Sequence, residues 1–163
     1  MWIWINSVQD QIRRLTREDL PRLREFWTRQ WGAEIIIAHG EVIQYGQVEG
    51  FIHADWDGLI TFMVRDKECE ITSLDSIRKG KGIGTALVNK VIEEAKEQKC
   101  ERIFLVTTND NLNALGFYQR RGFELAALHR GAVNESRKLK PSISLIGENK
   151  IPLRDEIELE MNL

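Results

Sequence analysis

Cysteine is scarce in this chain: Cys69 and Cys100 are its two cysteines, and they stand in no CxxC spacing. That excludes a disulfide-stapled scaffold and a zinc ribbon, and His39, His53 and His129 form no ligand pattern, so no metal site is expected. Both cysteines read as buried, reduced thiols of a cytoplasmic protein. No apolar run reaches membrane-spanning length. The opening Met1-Trp2-Ile3-Trp4-Ile5-Asn6 is too short for a signal-peptide core and lacks its basic flank, so a soluble protein without a membrane partner is expected. Charge of one sign is missing too: 23 Lys and Arg stand against 25 Asp and Glu, a net −2. Such a balance gives no bulk field for holding a nucleic acid. Repeats, low-complexity tracts and linkers are absent. At 163 residues, 42% hydrophobic, the chain reads as one domain over 1–163, large enough to bury its own core.

What is present is periodic. Thr16 is placed to cap a helix over Arg17 to Trp31, with Leu20, Leu23, Trp27 and Trp31 in helical spacing and Gly32 as the stop. Strand patterns follow over Glu34–Ala38, Glu41–Tyr45, Gly50–Trp56, Leu59–Arg65 and Glu68–Ser76, with Asp57-Gly58 as a hairpin signal. Helical period returns over Gly82 to Gln98, where Ile83, Leu87, Val91 and Ala95 share a face, and Arg102 to Thr107 reads as a buried strand. Strand, helix, strand is a βαβ unit, so the strands at 68–76 and 102–107 are expected to run parallel through a right-handed crossover while all others pair antiparallel. A helix from Asn111 to Arg121, an apolar strand from Phe123 to Leu128, an aperiodic loop from Arg130 to Leu153 and a half-buried strand over Glu156–Met161 complete the chain. The fold class is α/β of the α+β type: a mixed, mostly antiparallel sheet flanked by helices.

Chemistry concentrates in Lys79-Gly80-Lys81-Gly82-Ile83-Gly84-Thr85, between a strand and a helix. Glycines let backbone N–H groups converge on an anion, and a helix N-terminus adds partial positive charge. The spacing matches neither the P-loop nor the dinucleotide fingerprint, so another kind of phosphate carrier is implied. Steric relief at a helix start is the plain alternative.

Downstream stands Asn111-x-x-Ala114-x-x-Phe117-Tyr118-x-x-x-Gly122-Phe123. With Lys79-x-x-Gly82-x-Gly84 it resembles the acetyl-CoA-binding motifs of the GNAT N-acetyltransferase superfamily, most closely over residues 68–123. Two departures are visible. Lys79 occupies the place of the usual glutamine or arginine, keeping charge but not a planar multi-donor head, and the connection from Leu74 to the turn is short.

The resemblance implies the acyl-CoA N-acyltransferase fold, with its parallel strand pair splayed, and acetyl transfer to a primary amine by direct attack in a ternary complex. It implies that backbone N–H groups of Gly80, Lys81, Gly82, Ile83, Gly84 and Thr85 hold the acetyl-CoA pyrophosphate, with charge from Lys79 or Lys81. Backbone groups of Leu74 and Ser76 would pair with the pantetheine, the Leu74 N–H polarising the acetyl carbonyl, and Asn111, Ala114 and Tyr118 would complete the binding set. For Asn111 the alternatives are an N-cap role and competition from Asn109. Tyr118, a phenol protonated at neutral pH, is the candidate acid for the departing thiolate. Glu70 lies four residues before Leu74, on the same side of a regular strand, and is the candidate base, with Glu68 and Asp75 as weaker alternatives. Arg137-Lys138-Leu139-Lys140 reads as a solvated loop face, and the alternating acids at the end as the wet side of a strand. The expected partner is a small-molecule or peptide amine, and a homodimer is compatible. A non-catalytic acyl-CoA-binding or sensing module on the same fold is the alternative function, and a structural protein that binds no CoA is a third.

Overall fold

The structure, a computed structural model, describes residues 7–163, so the reading of the opening hexapeptide lies outside the described residues. It begins with a 3₁₀ turn at Gln9–Gln11, β1 (Ile12–Arg14), a second 3₁₀ turn at Arg17–Asp19 and α1 (Leu20–Trp31). The Thr16 backbone N–H and hydroxyl both donate to Asp19 Oδ2, at 2.8 and 3.0 Å. The α-helix begins three residues later than expected because Pro21 has no N–H to give the Arg17 carbonyl. Gly32 ends it in the left-handed region at φ 69°.

Next come β2 (Ile35–Ala38) and β3 (Glu41–Gln44), a separate hairpin turned by His39 and Gly40. Both turn residues have positive φ, 41° and 79°, as a two-residue primed turn requires. The remaining elements are β4 (Glu49–His53), β5 (Gly58–Arg65), β6 (Glu68–Ser76), α2 (Ile83–Glu97), β7 (Arg102–Thr108), α3 (Leu112–Gln119), β8 (Glu124–His129), α4 (Ala132–Leu139) and β9 (Glu156–Asn162). Seven strands form one sheet in the order β1-β4-β5-β6-β7-β9-β8, with β6 and β7 parallel and the other neighbours antiparallel. The mixed, mostly antiparallel sheet flanked by helices is therefore as expected.

Two apolar clusters sandwich the sheet. On one face α2 lays Leu87, Val88 and Val91 against Phe51, Ile60, Phe62 and Ile103, joined by Tyr118 and Phe123. On the other, Leu23, Phe26 and Trp27 of α1 pack on Ile52, Trp56 and Leu59. Each such side chain contributes roughly 1.5–3 kcal/mol on burial, and together they hold α1 and α2 on opposite faces. Among the described residues no helix is long and apolar enough to cross a membrane.

Three expectations change. β1 was not anticipated; three residues carry too little pattern, and only its pairing with β4 makes it a strand. The apolar stretch after Phe123 is an exposed edge strand, with Leu125 and Leu128 more than half accessible, because β8 has β9 on one side and, among the described residues, no strand on the other. The segment 130–153 holds α4, whose inward residues are Val133 and Ser136 and therefore show no apolar period. Its start is tied by Asp155, which accepts from the Gly131 N–H at 2.8 Å. Arg137, expected to be solvated, donates to the carbonyls of Ile143, Ser144 and Leu153 and folds the loop onto the helix. Asp110 accepts from the Glu148 N–H at 2.7 Å, so close that a Cβ on Gly147 would lie 2.0 Å from its carboxylate.

Candidate active site

Pairing between β6 and β7 runs from Glu68↔Arg102 to Ile71↔Leu105 and then stops, while β6 stays with β5 and β7 stays with β9. The parallel strands therefore diverge beyond Ile71. The gap opens into a cleft of about 480 Å³ lined by Thr72, Ser73 and Leu74 on one side and Val106 and Thr107 on the other.

At one end of the cleft lies the glycine turn. Gly82 caps α2 at φ 74°, and Gly80 also lies in the left-handed region at φ 75°. The first helical bond is from the Ala86 N–H to the Gly82 carbonyl at 3.0 Å, and no side chain among the described residues caps the turn. The amides of Ile83, Gly84 and Thr85 thus have no partner among the described residues, at the positive end of a 15-residue helix. A Cβ on Gly80 or Gly82 would meet nothing within 4 Å, whereas one on Gly84 would touch the Phe117 ring at 3.4 Å. The first two glycines therefore keep backbone geometry and open space, and the third permits close helix packing.

Of the residues singled out by sequence, Leu74, Ser76, Lys79, Gly80, Gly82, Ile83, Gly84, Thr85, Asn111, Ala114 and Tyr118 all line this cleft. Lys81 is exposed and does not. Asn111 caps α3, its side-chain oxygen accepting from the Ala114 N–H at 3.0 Å. Asn109 faces elsewhere: it bonds the Pro152 carbonyl and the amides of Arg154 and Asp155. Tyr118 is buried edge-on between Phe117 and Phe123, and its hydroxyl has no hydrogen-bond partner among the described residues. Burial, followed by the nearby Asp75 charge, pushes the phenol well above its ordinary value. It therefore stays protonated at every physiological pH.

Glu70 is not brought to the cleft. The expectation that Glu70, Thr72 and Leu74 share a side assumed a regular strand. Pairing with β5 jumps from Phe62↔Ile71 to Thr61↔Ser73, leaving Thr72 as an extra residue. The bulge reverses the alternation, so Leu74 shares the α2 face with Ile71, opposite Ile60 and Phe62, while Glu70 points to the other face opposite Met63. There Glu70, 4% exposed, meets His39 Nε2 at 2.7 Å in a separate depression beneath the β2–β3 turn. The Glu70 bond raises the His39 pKa above 6.5 against the opposing effect of desolvation. A raised folded-state value stabilises fully below the ordinary histidine range and is lost as pH rises through the shifted value. Glu70→Gln is accordingly expected to lower stability by about 1 kcal/mol near pH 6, discounted for the partly exposed imidazole, and by much less at pH 9. Urea titrations at the two pH values check this; equal losses at both would remove the ion pair.

Sequence reasoning missed Arg121 and Trp31. Arg121 lies over the Phe117 ring at 3.4 Å and donates to the Thr85 hydroxyl and the Phe117 carbonyl, bringing a guanidinium beside the glycine turn. Its spacing of four from Phe117 was the available signal, although α3 ends at Gln119 and Arg121 lies in the turn after it. Trp31, 45% exposed at the end of α1, borders the cleft from the opposite face of the sheet. Only the sheet brings it there. The cysteines stay apart from the cleft; burial pushes the Cys69 thiol up to about 12 and raises Cys100. The terminal acids are not simply wet: Arg102 bridges Glu68, Glu158 and Glu160.

Comparison with known proteins agrees with this geometry. Residues 6–123 match the acetyltransferase (GNAT) family. The Bacillus subtilis (strain 168) protein YdhI is 43% identical over 139 residues, 83% of this chain and 87% of that protein. Among solved structures, a Bacillus subtilis acetyltransferase in complex with CoA superposes with a TM-score of 0.67 at 22% identity, covering 94% of this chain and 98% of that one. A GNAT family acetyltransferase from Elizabethkingia anophelis with acetyl-CoA bound gives 0.67 at 21%, covering 94% and 99%. With most of its length matched and the splayed strands, glycine turn and buried tyrosine meeting in one cleft, the chain belongs to the GNAT family of acetyltransferases.

Proposed function

We propose that the protein transfers an acetyl group from acetyl-CoA to a primary amine by direct attack. The observation that carries this reading is a single cleft with unpartnered α2 amides at one end and the Tyr118 phenol in its wall. Three free N–H groups at a helix N-terminus suit a pyrophosphate, and the CoA and acetyl-CoA bound to the two structural relatives support the same ligand here.

In this reading the amides of Ile83, Gly84 and Thr85 hold the pyrophosphate, with Lys79 and Arg121 adding charge. The diverging edge of β6 near Leu74 and Ser76 aligns the pantetheine, and the Leu74 N–H polarises the thioester carbonyl. Asn111 fixes the start of α3, and with it Ala114 and Tyr118 against the donor. Tyr118 gives its proton to the leaving sulfur. Direct attack is favoured because neither cysteine reaches the cleft or ionises readily. Glu70, engaged with His39, holds the β2–β3 turn in place.

The test is free-thiol release from acetyl-CoA with a panel of primary amines, paired with calorimetric titration of CoA. Micromolar binding with amine-dependent thiol release is expected. Binding without release for any amine leaves an acyl-CoA sensor, and no binding refutes the cradle as well.

A further inference from the structure

The geometry points to Asp75 as the group that takes the proton from the acceptor amine, an assignment that rests on the acetyl-transfer reading. Asp75 follows Leu74 on the stretch of β6 that has left β7, and pairs with Leu59, which places its side chain on the α1 face. Its chain neighbours Leu74 and Ser76 line the cleft, and so does Trp31, whose indole N–H donates to Asp75 Oδ2 at 3.2 Å. The half-buried carboxylate has no other hydrogen bond among the described residues, so Oδ1 is left for a ligand.

Several charged groups at this end of the sheet are already engaged, while Lys79 lines the cleft by the glycine turn. Asp57 pairs with Arg78 at 3.4 Å, Lys140 donates to the Trp31 carbonyl at 3.0 Å, and Arg121 is bonded to Thr85 and Phe117. None neutralises Asp75, and burial raises its pKa to about 6 against the smaller lowering effect of the Trp31 bond. A carboxylate of that basicity is ionised at neutral pH yet accepts a proton more readily than an exposed one. Asp75 itself lies behind the lining formed by Leu74, Ser76 and Trp31, and its charge acts on Tyr118 from the opposite face of the sheet. Glu70 lacks these relations: it lies in a separate depression, bonded to His39.

An ammonium entering beside Trp31 gives its surplus proton to the Asp75 carboxylate, and the neutral nitrogen bonds to the acetyl carbon. The carbon–sulfur bond breaks, the sulfur takes the Tyr118 proton, and the proton shed by nitrogen restores the phenol. Asp75 then returns its proton to solvent.

Asp75→Asn tests this, because the amide oxygen still accepts from the indole and the fold is kept. With an alkyl amine the parent's kcat/KM is expected to show an acidic limb with a midpoint near pH 6. Asp75→Asn should lose that limb and fall about 100-fold at pH 7, with CoA affinity by calorimetry unchanged. With an aromatic amine, neutral over this range, the loss should shrink to a few-fold, about 5-fold or less. Trp31→Phe should move the limb to higher pH by removing the bond that holds the carboxyl down. A parent-like profile in folded Asp75→Asn, or equal losses with both amine types, overturns the inference and leaves the acetyl-transfer reading standing. A parent chain that binds CoA but turns over no amine overturns both.

Discussion

Tyr118→Phe is expected to slow single-turnover acetyl transfer roughly 10- to 1000-fold while leaving CoA affinity almost unchanged. The substitution removes one oxygen from a side chain packed edge-on at 5.0 Å to Phe117 and 5.3 Å to Phe123, so the aromatic cluster stays intact. No hydrogen bond among the described residues is lost with that oxygen, and stability should change little. In the acetyl-transfer reading proposed above, what disappears is the proton source for the leaving sulfur. Because burial and the Asp75 charge both raise the phenol's pKa, the parent keeps this proton over the whole working range, and the ratio between parent and variant should be flat from pH 6 to about 9. A thiol is a fair leaving group, so the effect falls toward the lower figure when amine attack limits the rate. Rapid-quench measurement with the best acceptor decides it: parent-like transfer by the folded variant makes Tyr118 a core aromatic and nothing more.

Gly82→Val is expected to reduce CoA affinity more than a hundredfold. Two effects act in the same direction. Gly82 sits at φ 74°, where an L side chain is strained, and relief of that strain turns the following amides away from their common focus. The added side chain also enters space in which a Cβ now meets nothing within 4 Å, the space the phosphates would fill. Losing two charge-assisted hydrogen bonds at roughly 1.5–3 kcal/mol each gives that fold-change or more. The turn is exposed and packs on no core side chain, so the variant should still fold, with α2 held by Leu87, Val88 and Val91. Calorimetric titration with CoA, beside a circular-dichroism melt, separates the two consequences. Unchanged affinity in the folded variant moves the phosphate site elsewhere.

The sequence by itself determined the elements whose signal is local. Ile83, Leu87, Val91 and Ala95 repeat with helical period because one side of α2 must be apolar, and all four are buried. Glycines at 80 and 82 mark a left-handed turn because other residues avoid that backbone, and the parallel setting of β6 and β7 follows from the helix between them. Motif spacing likewise brought Asn111, Ala114 and Tyr118 to the cleft, since residues three and four apart share one face of α3. Tertiary structure alone decided the rest. The bulge at Thr72 is a property of two strands in register, invisible in either, and it turned Glu70 away from Leu74 and toward His39. α4 exists because Asp155 and the Arg154 carbonyl hold its first turn, not because its own residues repeat. Trp31 and Asp75, 44 positions apart, meet because α1 and the far end of β6 pack on the same face of the sheet. Periodicity reports which side of an element is buried; only packing of one element on another decides what that side touches.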